Sequence, residues 1–306
     1  MLIKSSKLPL ISIVLPTYNG ERYIRQSIKS IIRQTEKFWE LIVVDDCSTD
    51  TTANIAKEYE GKDQRIKVIT NEKNEKLPRA LNIGFRKALG RFFTWTSDDN
   101  LYKPEALSIM SEYLLRNLDT DLVFCSSDIV DENLALIRDE NVSGIRALDL
   151  VNYNKIGACF MYRREIANSI GEYDDNMFCA EDYDYWCRIA IAGKIRSLPY
   201  NLYVYRSHAN SLTETAGKEA VEKMKIVRNK YVVPLMLKYY NSISLKIGLL
   251  FSFLILHKKI REKFVAKICR TLARASFWER LFSVCDKRQH KLVRIFGVKI
   301  KFKLSR

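Results

Sequence analysis

The chain has 306 residues, 47% hydrophobic and 28% charged, which suits one large domain with an appendage or two modest domains with a sizeable core. Its net charge of +15 is unevenly placed: residues 258–306 carry 16 Lys/Arg against 3 Asp/Glu, leaving the rest nearly neutral. The seven cysteines (Cys47, Cys125, Cys159, Cys179, Cys187, Cys269, Cys285) are scattered and form no CxxC pair, which excludes a disulfide framework and a zinc site and points to a reducing compartment.

Leu10 to Leu15 (LISIVL) is a β-branched apolar run ended by Pro16. It predicts a strand buried on both faces, as in a parallel sheet. The apolar stretch before it is short, broken by Pro9 and without a small-residue cleavage site, so it reads as part of that strand and not as a signal peptide. Tyr23 to Arg33 has helical apolar spacing, and Leu41 to Val44 is a second buried strand that delivers Asp45-Asp46 at its end. Ser48-Thr49-Asp50 supply N-cap chemistry for a helix through about Glu60. Ile66 to Ile69 is a third strand. Pro78 to Ala88 is a helix with proline near its start and Gly90 past its end. Phe92 to Trp95 is a fourth strand, followed by Asp98 and Asp99.

This β-α-β-α-β-α-β order with short connections predicts a parallel, doubly wound half, with polar groups at the strand ends where such sheets bind ligands. A helix over Pro104 to Arg116 and a strand over Leu122 to Cys125 follow. The stretch 128–151 is polar and reads as irregular, suited to the acceptor side. Phe160 to Tyr162 and Leu202 to Tyr205 read as later strands with a helix from about Tyr183 to Ala192 between them, and from Lys218 the pattern turns helical and basic.

Several residues along this path carry chemistry. Two adjacent carboxylates at a strand end, Asp98-Asp99, repel each other unless a cation sits between them and a diphosphate; a solvated turn is the plainer alternative. Asp45-Asp46 repeats the pattern one strand earlier, where a carboxylate accepts hydrogen bonds from a base or ribose or caps a helix. In Pro16-Thr17-Tyr18-Asn19-Gly20, Tyr18 either stacks on a base or packs on the next loop. Glu181-Asp182 at a helix start suits a general base, or complements the helix dipole. His208 is one of three histidines and the one ahead of the basic tail.

Five segments in order, ISIVLPTYNGERYIRQSIKSIIRQT, ELIVVDDCSTDTT, LPRALNIGFRKALGRFFTWTSDDN, AEDYDYWCRIAIAG and YRSHANSLT, span Leu10 to Thr213. Together they resemble the family 2 glycosyltransferases. The resemblance implies a GT-A fold: α/β, Rossmann-like, a mixed and mainly parallel sheet flanked by helices. It also implies a catalytic domain over 1–217 and a basic helical extension over 218–306. Carried over by position, Pro16, Tyr18, Asp46, Arg79 and Asp98 would bind the nucleotide. Asp99 and His208 would hold Mn²⁺ or Mg²⁺, and Arg206 and His208 would contact the diphosphate. Asp182 would be the general base of an inverting single displacement from a nucleoside-diphosphate sugar, UDP by analogy, to a glycan or lipid-linked hydroxyl. Cys47 departs from the usual small residue after the first acid pair, and Arg79 lies earlier than the family's arginine.

The tail from Ser244 alternates apolar clusters (Ile247 to Leu256, Phe277-Trp278, Leu281-Phe282) with Lys and Arg, and its end, Arg294 to Lys303, alternates apolar and basic residues as a short strand does. It suits an interfacial helix on an anionic membrane or a helical cap with a basic face; its longest apolar run is about half the ~20 residues a spanning helix needs. No nucleic-acid-binding motif accompanies the charge. The expected setting is cytoplasmic, or peripheral on the cytoplasmic face of the membrane. Rival classes are a processive synthase, which needs membrane helices and a QxxRW motif; a sugar nucleotidyltransferase, which needs a Gly-rich, Arg-containing first loop; and a non-catalytic nucleotide-sugar-binding protein.

Overall fold

The computed structural model describes residues 8–209, 211–239, 282–287, 290–295 and 298–303. They fall in two units, one ending at Tyr239 and one after it.

The first unit is built on a nine-stranded sheet. β1 (Ile11–Thr17), β2 (Trp39–Asp45), β3 (Ile66–Thr70) and β4 (Phe92–Trp95) are parallel, linked by α1 (Ile24–Ile32), α2 (Thr52–Glu60) and α3 (Leu77–Lys87). β5 (Leu101–Tyr102) and α4 (Ala106–Arg116) lead into the long β6 (Leu122–Val130), which turns back as β7 (Leu136–Glu140). β8 (Cys159–Arg163) runs antiparallel between β4 and β6. After α5 (Arg164–Ile170) and α6 (Glu181–Ala192), β9 (Ile195–Arg206) pairs parallel with β6 and antiparallel with β5. α7 (Leu212–Tyr239) closes the unit.

Strand alternation sorts the core into two layers. Ile13, Leu15, Leu41 and Val43 meet α1, α2 and α4, while Val14, Ile42, Val44 and Phe124 meet α3, α6 and α7. All seven residues of β1 and of β2 are buried, the reason their sequences are apolar runs rather than alternations. At Gly84 of α3 a Cβ would overlap Val14, so glycine lets the helix lie close on β1.

Some expectations change. The stretch 128–151 is not irregular throughout: β6 continues to Val130, β7 pairs with it, and a 3-10 turn spans Ala147–Val151. Leu136 and Ile137 are exposed on β7, so burial leaves no alternating pattern there to read. β9 is twelve residues long, not four, and α5 had no sequence signal. Ser48 and Asp50 do less capping than bridging: Ser48 Oγ accepts from Asn19 N–H at 2.9 Å and Asp50 Oδ2 from Glu21 N–H at 3.2 Å, joining the loops after β1 and β2. Asp50 Oδ1 still takes the Thr52 N–H at 2.9 Å.

The expected boundary at 217/218 falls at a break inside α7, where Gly217 has φ 45° and ψ −118°. Beyond that break α7 packs on α6, with Val227 and Leu235 fully buried. The second unit contains β10 (Phe282–Lys287), β11 (His290–Ile295) and β12 (Val298–Lys303), an antiparallel sheet: a strand was expected at the very end, while β10 and most of β11 stand where a helical extension was expected. The two-residue alternation of Val298-Lys-Ile-Lys-Phe-Lys303 is the strand-like pattern that β12 follows. The apolar clusters Ile247 to Leu256 and Phe277-Trp278 lie outside the described residues. Among the described residues no helix is long and apolar enough to cross a membrane, and the cysteines Cys47, Cys125, Cys159, Cys179 and Cys187 are free thiols.

Candidate active site

β1 lies between β2 on one side and β4 on the other, so the connections from it diverge there. A crevice opens at the carboxyl ends of strands at such a switch point. Here it is a cavity of about 1100 Å³. Pro16, Tyr18, Asp46, Asp98, Asp99, Asp182 and His208 all line it, so residues spread over nearly two hundred positions converge. Thr17, Asn154, Lys155 and Glu181, which the sequence reading did not assign, line it too.

The loop after β1 is shaped around Asp98. Thr17 Oγ1 donates to Asp98 Oδ2, and at Gly20 a Cβ would overlap the Asp98 carboxylate. Asp99 faces the end of β9: its Oδ2 lies 2.9 Å from His208 Nε2, while its Oδ1 is buried without a hydrogen-bond partner. Burial, then the neighbouring Asp99 charge, pushes the Asp98 carboxyl up to about 7. Burial also raises Asp99, against the pull of His208. Two carboxyls held above their ordinary range at one turn mark a place built for positive charge.

Asp46 is buried and holds the turn before α3. Its Oδ1 accepts from Asn71 Nδ2 and Glu75 N–H, each at 2.8 Å, and its Oδ2 from Lys76 N–H at 2.9 Å. Lys76 sits at φ 71° in that turn, a conformation side chains rarely adopt. Asp182 lies in the first turn of α6. Its Oδ1 accepts the Tyr183 N–H at 2.6 Å and its Oδ2 the Asn154 amide at 2.8 Å. Burial raises its pKa, and it pushes the adjacent Glu181 up to about 8, with the charge of Asp182 as a second cause.

Two arginines are not where the resemblance placed them. Arg79 does not line the cavity; its guanidinium bonds Asp175 at 2.8 Å and Glu75 at 3.0 Å, which keep it on the outer side of α3. Arg206 is fully buried behind the cavity wall. It donates to Asp99 O at 3.0 Å, Glu132 O at 2.7 Å and Gln26 Oε1 at 2.6 Å, and lies 4.3 Å from the Tyr23 ring centroid. Neither guanidinium is among the groups that line the cavity. Thr17 and Glu181 stood within recognised segments and could have been found there; Asn154 lies in a stretch with no motif.

An α/β/α sandwich with acids gathered at its switch point has the architecture of the nucleotide-binding GT-A enzymes. Residues 12–171 match the model of the family described as Glycosyl transferase family 2, and the chain belongs to that family. An uncharacterized glycosyltransferase of Rickettsia prowazekii is 32% identical over 224 residues, 70% of this chain and 69% of its own. Staphylococcus aureus TarS 1–349 in complex with UDP-GlcNAc superposes with a TM-score of 0.61 at 20% identity, over 78% of this chain and 76% of that one. In a longer TarS structure the match spans 42% of the partner chain. The mannosyltransferase PcManGT of Pyrobaculum calidifontis, in complex with GDP-Man and Mn²⁺, gives a TM-score of 0.52 at 20% identity, over 76% of this chain and 64% of that one.

Proposed function

We propose that the chain moves one sugar, of hexosyl or N-acetylhexosaminyl type, from a nucleoside-diphosphate sugar to a hydroxyl of a glycan or lipid-linked acceptor, with inversion. The observation that carries this reading is the single cavity shared by Asp98-Asp99 and Asp182. Pro16, Tyr18 and Asp46 line the part that would receive the nucleotide. UDP is the favoured nucleotide, supported by the fold shared with TarS.

The acids fit a hard divalent cation. Asp99 Oδ1 is buried and unpartnered, Asp98 is adjacent, and the His208 imidazole is in contact. Among the described residues no group of three or more acids, histidines or thiols is gathered for a metal. Mg²⁺ commonly takes one or two carboxylates and completes its shell with substrate phosphates and water. Asp99 and His208 would hold the ion, with Asp98 beside them on the nucleotide side, and the bound ion would neutralise charge on the leaving diphosphate. Asp182 takes the proton of the acceptor hydroxyl as it attacks the anomeric carbon. Arg206 acts from behind, bracing the Asp99 backbone and the start of the loop that carries His208.

A screen of nucleotide sugars with and without Mn²⁺, read by melting temperature and by donor hydrolysis, tests the proposal. One donor should give a Mn²⁺-dependent rise in melting temperature, and Asp99→Ala should remove the Mn²⁺-dependent part. No donor shift with or without metal would overturn the donor reading; a shift with no turnover would make the chain a binding protein.

The basic excess of the tail supports a place at the cytoplasmic face of a membrane, near a lipid-linked acceptor. The full chain should sediment with anionic vesicles and much less with neutral ones at moderate salt. Equal partitioning with the two would sink that placement.

A further inference from the structure

We propose that Asn154 is a positioning residue for sugar transfer, holding the Asp182 carboxylate in the orientation and charge state in which it works as a base. The inference rests on the reading of Asp182 as that base and adds a residue to it.

Asn154 lies in the loop between the Ala147–Val151 turn and β8. Its amide is itself oriented: the oxygen accepts the Ile156 N–H at 3.2 Å, which leaves the nitrogen to donate to Asp182 Oδ2 at 2.8 Å. Ile156 is fully buried and anchors the loop. Tyr183 Oη donates to Leu150 O, so the start of α6 is tied also to the turn that leads into this loop. With the Tyr183 N–H on Oδ1, each oxygen of Asp182 has one donor, and rotation of the carboxylate would break both bonds.

These donors also separate Asp182 from its neighbour. Glu181 is almost fully buried beside it, and Glu181 Oε2 has no hydrogen-bond partner. Backbone N–H groups at the helix start pull Glu181 down as well, but it has no side-chain donor; a buried acid pair does not readily hold two negative charges, and the member with the side-chain donor keeps its charge more readily. The Asn154 amide lowers the proton affinity of Asp182 against the effect of burial, while Glu181 is pushed up to about 8. Among the described residues, Cys187 on α6 and Tyr173 from the segment before it, both raised chiefly by burial, also feel the Asp182 charge. Lys155 is next in the chain to Asn154, its ammonium 3.7 Å from the Tyr153 ring centroid.

Without the amide, Asp182 would bind its proton more tightly. For Asn154→Ala we expect the acid limb of the profile to move up by about one pH unit, the size of one hydrogen bond to a charged group, so that turnover at a fixed pH on that limb falls about 10-fold. Asn154→Asp, which puts a like charge on Asp182, should move the limb further in the same direction. Asn154→Ser, which keeps a donor, should fall between wild type and alanine. Donor KM and the donor-induced melting shift should stay as in wild type.

The measurement is kcat and KM for hydrolysis of the donor found in the screen, across pH, for the full-length wild type, these three variants and Asp182→Asn. A moved acid limb at unchanged KM supports the role. A wild-type limb in the Ala and Asp variants overturns it, whatever the rates. If the alanine variant does not fold, the Asp and Ser variants decide in the same way. Loss of turnover in Asp182→Asn with an unmoved limb in the Asn154 variants rejects this inference alone. Retained turnover in Asp182→Asn rejects the base reading and this inference together.

Discussion

Asp182→Asn should lower sugar transfer by about 10²–10⁴-fold, the usual contribution of a positioned general base, with the melting temperature close to wild type. Asparagine has the same shape, but its side chain takes up no proton at working pH. The stability part follows from the direction of the Asp182 shift, which burial sets upward. A carboxyl whose pKa is higher folded than unfolded favours the folded state while neutral, below the ordinary carboxylate range. That contribution is lost as pH rises through the raised value. An uncharged replacement relieves that cost of ionisation, but its NH2 faces one of the two donors, Tyr183 N–H or the Asn154 amide, so the two effects oppose each other. Turnover within a few-fold of wild type in a folded Asp182→Asn protein would remove Asp182 from the role.

The largest loss of stability should come from Asp184, two residues further along α6 and outside the cavity lining. It is fully buried. Its Oδ2 accepts from Arg188 Nε at 2.8 Å, and its Oδ1 from Lys230 Nζ at 2.9 Å and Tyr231 Oη at 2.8 Å. One carboxylate thus ties α6 to α7. Asp184→Ala strands these donors, and breaking a buried pair costs about 3–5 kcal/mol. The Lys230 side chain is 44% exposed and can turn to water, so the low end, about 3 kcal/mol, is expected. In a domain of this size that lowers the melting temperature by roughly 6–12 °C, measurable by calorimetry. A loss under about 1 kcal/mol would mean that α7 is held to α6 by apolar contacts such as Val227 and Leu235 instead.

The first hundred residues were the most legible. β1, β2 and β4 are buried on both faces, so apolar runs and the acids that end them stand out without any three-dimensional knowledge. Where an element is solvated, as β7 is, the code is faint. The acids of the site were readable because strand ends fix where short side chains point. The arginines were not: Arg79 and Arg206 have long side chains, and position alone does not say which carbonyl or carboxylate will claim the guanidinium. Asn154 belongs to the hardest class. Its meaning exists only in the contact with Asp182, made across 28 positions by a loop with no periodicity.

The place of β9 in the sheet also orders events in time. It lies beside β6, with Val130 paired to Arg206, so its main pairing has high contact order, unlike the nearest-neighbour βαβ steps of β1 to β3. Local contacts form early and distant ones late, and domains assemble as the chain emerges from the ribosome. The nucleotide half can therefore take shape while synthesis is still in progress. The buried guanidinium behind Asp99 and the imidazole in front of it arrive together on the last strand of that sheet. The acid pair meets its guanidinium and imidazole partners only once β9 has docked, so the nascent chain holds an unfinished site until the first unit is nearly complete.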